Sequence, residues 1–145
     1  MALPLRAGDP LPRLPGRDTT LRAAALVGRW TLLAVTGTDT RATGGPREDD
    51  DSTAGLHGPW LAAHAAAVVG VHIADAAEAA ARPGWQLHID AGRCCTQRLG
   101  ALAEDGAVEA VVTVVDPRGV VAVTFTGGAF GGLVDAAVAY VQARI

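Results

Sequence analysis

Apolar residues along this chain come in short runs separated by polar, glycine-rich or alanine-rich stretches. Trp30 to Thr36 (WTLLAVT) and Val68 to Ala74 (VVGVHIA) are continuous and sharply bounded, the pattern of strands buried on both faces. Trp85 to Asp90 (WQLHID) predicts a short strand, and Val108 to Val115 a β-rich run. Asp116-Pro117-Arg118-Gly119 predicts a type I turn, with proline at its second position and glycine at its fourth. Val120 to Thr126 then returns antiparallel as a hairpin. Helical spacing marks the rest. Pro59 to Ala67 predicts a helix with its proline in the first turn. Asp75 to Arg82 is an alanine-rich helical stretch ended by Pro83-Gly84. Arg93 to Leu102 places Cys95, Leu99 and Leu102 on one face, and residues 129–145 do the same with Leu133, Val134, Ala137, Val138, Val141 and Ile145. Leu21 to Val27 predicts a short helix capped by Thr19 or Thr20. Residues 1–20, broken by Pro4, Pro10, Pro12 and Pro15, predict an extended lead-in with turns.

This order, β-α-β, then α-β, then α-β-β-α, predicts one α/β domain over residues 1–145. It has three layers, a mixed central sheet with helices on both faces. The first crossover is expected to be parallel and right-handed. Between the first strand and its helix, residues 37–56 form a polar loop with almost no apolar content, a length that is usually functional or flexible. At 145 residues folding buries about two-thirds of the exposable surface, so no metal or disulfide staple is required. The net charge is −3 and the 12 basic residues are all arginine, without a basic stripe, which argues against nucleic-acid binding. No segment reads as a signal peptide, and the longest apolar run is too short to span a bilayer. The expectation is a cytoplasmic protein, where two cysteines persist as free thiols. No G-x-G-x-x-G fingerprint follows a strand, so neither a flavin site nor another cofactor is expected.

The adjacent thiols Cys94 and Cys95 are the first candidates for chemistry. Their Cα atoms lie about 3.8 Å apart, below the usual disulfide range of about 4.4–6.8 Å. On a helix their side chains diverge by about 100°. Cys95 shares the apolar face with Leu99 and Leu102, a packing position. Cys94 is turned away beside Arg93 near the helix start, a setting that lowers a thiol pKa. His57 and His64, seven residues apart, share a face if their helix starts early enough. His72 and His88 have the same parity on two strands that can be neighbours. Either pair can bind a metal or shuttle protons, but neither has zinc-ligand spacing, and no metal site is expected. Glu48-Asp49-Asp50-Asp51 lacks the alternation of a calcium loop and reads as a solvated acidic run. The Gly127–Gly132 stretch reads as turn chemistry ahead of the last helix. Trp60 and Trp85, with Asp39 and Arg41 of the polar loop, can line a pocket for a flat aromatic ligand; ordinary core packing is the alternative for the two tryptophans.

Three stretches resemble peroxiredoxins of the thioredoxin-like superfamily: Ala7-Gly8-Asp9-Pro10-Leu11-Pro12 at the opening, Gly28-Arg29-Trp30-Thr31-Leu32-Leu33 at the first core strand, and Asp90 to Gly100 followed by Val111 to Gly119. The resemblance covers nearly the whole chain and implies a thioredoxin-like fold. It departs at the catalytic positions. Thr36-Gly37-Thr38-Asp39-Thr40-Arg41 carries no cysteine where peroxiredoxins place their nucleophile, and Val108-Glu109-Ala110 stands where they carry a proline. A second resemblance is to the C-terminal thioredoxin-like domains of flavin-dependent aromatic hydroxylases. It rests on Trp30-Thr31-Leu32-Leu33, Leu99-Gly100, Glu104 to Val108, and Asp116 to Ala122. Together the two imply an accessory or binding module without peroxidase chemistry. Its partners would be a flavin-dependent oxygenase or an aromatic, polyketide-like small molecule, and it can form a homodimer. The alternatives are a thiol-dependent oxidoreductase using Cys94 and Cys95, and a non-redox enzyme on an aromatic substrate with His57, His64 or Asp39 as acid or base.

Overall fold

The computed structural model describes residues 5–16, 20–21, 28–35, 57–74, 84–90, 94–101 and 108–145. Its centre is the run that reads WTLLAV. The elements are β1 (Leu14–Pro15), β2 (Thr20–Leu21), β3 (Trp30–Val35), helical residues 57–63 (α1), β4 (Val68–Ala74), β5 (Trp85–Ile89), α2 (Cys94–Arg98), β6 (Val111–Val115), β7 (Val121–Phe125) and α3 (Phe130–Gln142). Five strands form one sheet in the order β5-β4-β3-β6-β7. β3 pairs parallel with β4 from Trp30↔Val68 to Val35↔Ile73, and β4 pairs parallel with β5 from Gly70↔Trp85 to Ala74↔Ile89. β6 and β7 are antiparallel additions, with β6 running against β3 from Thr31↔Val115 to Val35↔Val111. The mixed sheet and its helices make a thioredoxin-like α/β fold.

The continuous apolar runs follow from burial on two sides. Along β3, Leu32 and Ala34 join Val112, Val114 and Leu61 beneath Phe130, Leu133, Val134, Ala137, Val138 and Val141 of α3. Leu33 and Val35 face the other way, with Val71, Ile73, Val111 and Val115, onto Cys95 and Leu99 of α2 and onto Leu5, Leu11 and Leu14. The proline-rich lead-in is extended, as its composition predicts, and crosses this second face. It bridges Val120 at Pro10 and Asp90 at Gly16.

The hairpin turn forms as predicted. The Gly119 amide donates to the Asp116 carbonyl at 2.9 Å, and Gly119 takes φ 84°, a left-handed value that glycine adopts without a Cβ clash. Several boundaries differ from expectation. Leu21 lies in β2, not in a helix, because it pairs with Leu14; residues 22–27 of that expected helix, and the alanine-rich 75–82 stretch, lie outside the described residues. α1 is already helical at His57 and ends at residue 63, short of Ala67. The Trp60 carbonyl accepts the His64 amide at 3.0 Å, and the His64 ring nitrogen Nδ1 folds back to within 2.9 Å of the same oxygen. β6 begins at Val111, not Val108, because the Glu109 amide is turned onto the Ala101 carbonyl at 2.7 Å.

Candidate functional site: the thiol pair beside Asp90

The strand registers place the carboxyl ends of β3, β4 and β5 side by side: Val35 is opposite Ile73, and Ala74 opposite Ile89. Ligand chemistry in open α/β sheets gathers at such ends. Asp90 follows β5 directly, and α2 starts four residues later with Cys94 and Cys95.

Asp90 is 4% exposed. Its Oδ1 accepts the Cys95 amide at 2.9 Å; its Oδ2 accepts the Thr96 amide at 2.9 Å and the Thr96 hydroxyl at 2.8 Å. Burial opposes ionisation of this carboxyl. The two amides, the Thr96 hydroxyl and the Cys95 side chain outweigh burial and hold Asp90 below the usual carboxylate range. A carboxylate thus caps α2, and the far end closes just as tightly. The Ala101 amide returns to the Thr96 carbonyl at 3.0 Å and the Gly100 amide to the Gln97 carbonyl at 3.1 Å. Gly100 has φ 77°. This is a Schellman closure.

Within this frame Cys95 forms no disulfide and is packed, with 0% exposure, in the core beside Leu99. Cys94 opens the helix; its side chain lies outside the described residues.

The other expected site residues are dispersed. Asp39 and Arg41 lie outside the described residues. Trp85 is 7% exposed and belongs to the core under α3. Its ring lies so close to β4 that a Cβ on Gly70 would sit 2.7 Å from it. Trp60 is half-buried and stacks on His64, with ring centroids 4.9 Å apart. The structure couples His57 not to His64 but to Asp135 of α3, through a 2.6 Å contact between Nε2 and Oδ1. His72 and His88 do not share a face, contrary to their parity. Ile73, not His72, pairs with His88, and a one-residue offset turns a side chain to the opposite side. His72 lies 6.3 Å from the Phe130 ring under α3. No group of three metal-ligating side chains occurs among the described residues. No described helix is long and apolar enough to cross a membrane.

Sequence reasoning missed the role of Asp90, although an acid shortly before a helical apolar pattern is a recognised start signal. It also missed the His57–Asp135 contact, whose partners are 78 residues apart.

No protein-family model matches the chain, and no curated protein matches it by sequence. Solved structures do match. PrxQ of Xylella fastidiosa superposes with a TM-score of 0.71 at 11% identity, covering 97% of each chain. Peroxiredoxin Q of Xanthomonas campestris gives 0.69 at 17% identity, over 96% of this chain and 99% of its own. AhpC of Mycobacterium bovis gives 0.66 at 20% identity, over 99% and 98%. The fold is peroxiredoxin-like. This corrects the expectation of an accessory module without peroxidase chemistry, working beside a flavin-dependent oxygenase on aromatic substrates. These three solved structures, matched over nearly their whole length, are peroxiredoxins.

Proposed function

We propose that the protein is a thiol-dependent oxidoreductase that reduces hydroperoxides through Cys94. The observation that carries the reading is a peroxiredoxin-like sheet with Cys94 and Cys95, the chain's two thiols, placed just beyond the carboxyl ends of its parallel strands. The usual nucleophile position after β3 has no cysteine, so the chemistry moves to α2. Of its two thiols Cys95 is buried against Asp90, which leaves Cys94 as the nucleophile. The structurally similar bacterioferritin comigratory protein of Xanthomonas campestris has alkyl peroxide reduction activity, and an alkyl hydroperoxide is the substrate class assigned here. A reducing, cytoplasmic setting suits free thiols.

In the reaction the Cys94 thiolate attacks the terminal peroxide oxygen. The S–O bond forms as the O–O bond breaks, and the departing alkoxide takes a proton to leave as an alcohol. The sulfur becomes a sulfenic acid. A reducing thiol condenses with it and releases water, and a second equivalent of that thiol restores Cys94 and leaves as a disulfide.

The test is site-resolved alkylation of the reduced, native protein over a pH series. Cys94 is expected to react quickly at neutral pH, as a nucleophilic thiolate must. Two slow, protected thiols would refute the proposal.

A further inference from the structure

We draw no further inference here: the strongest candidate, the half-buried aromatic patch of Trp30, Phe125 and Tyr140 on the α3 side of the sheet, carries nothing because nothing in the structure shows what covers it.

Discussion

Asp90 combines two tasks in one side chain: it closes the start of α2 and places a negative charge beside a buried thiol. Asp90→Ala leaves the Cys95 and Thr96 amides without a buried acceptor, a loss expected to cost about 2–3 kcal/mol. Denaturant unfolding of the variant, read as a fall in midpoint without a change in slope, checks this. The sequence exposed the two cysteines, and the helical spacing of Cys95 with Leu99 correctly put Cys95 in the core. The partner of Cys95 was not legible, because a cap at the end of one element and a thiol in the next meet only once the loop between them closes. The His57–Asp135 contact was hidden for the same reason at longer range.

At the scale of elements, strands were more legible than helix ends. β4 runs from Val68 to Ala74 as its apolar run indicates, since two-sided burial writes itself as an unbroken apolar string. Which neighbour a strand takes, and in which register, is not written that way; His72 and His88 fall on opposite faces by a single residue of offset. Helix ends depend on single polar contacts such as Asp90 at the start of α2 and the Ala101 amide on the Thr96 carbonyl at its end, which apolar periodicity does not encode. One packing constraint on β4 is specific enough to test. A Cβ at Gly70 would meet Trp85 at 2.7 Å and Leu61 at 2.8 Å, both in the core beneath α3. Gly70→Ala is therefore expected to destabilise the protein by about 1–3 kcal/mol through overpacking, measured as a lower thermal midpoint. Combining it with Leu61→Ala should give a smaller loss than the two single effects summed, because the second change opens room for the new methyl.

For the whole molecule, two carboxylates each fasten a local turn that joins neighbouring elements. Asp90 sits at the carboxyl end of the parallel strands. Asp116 holds the β6–β7 turn, accepting the Arg118 amide at 2.8 Å, the Val120 amide at 3.1 Å and the Arg118 guanidinium at 2.8 Å. Burial opposes ionisation of Asp116 too, and these bonds with the Arg118 charge outweigh it, so its pKa lies below the ordinary 3.8. With both folded-state pKa values below the unfolded one, the stability they contribute is complete above about pH 4 and is lost as pH falls through the lowered values. Unfolding monitored by circular dichroism should show an acid limb confined to that range, shallower in Asp116→Asn. A limb that begins near neutral pH would point to histidine protonation instead.

The thiol reading is tested most directly by hydroperoxide consumption in the presence of a small reducing thiol, compared among the parent, Cys94→Ser and Cys95→Ser. Turnover is expected in the parent, retained in Cys95→Ser and reduced to the uncatalysed background in Cys94→Ser. Equal consumption with and without the Cys94 thiol, or none in the parent, would contradict a thiol-dependent oxidoreductase acting through Cys94.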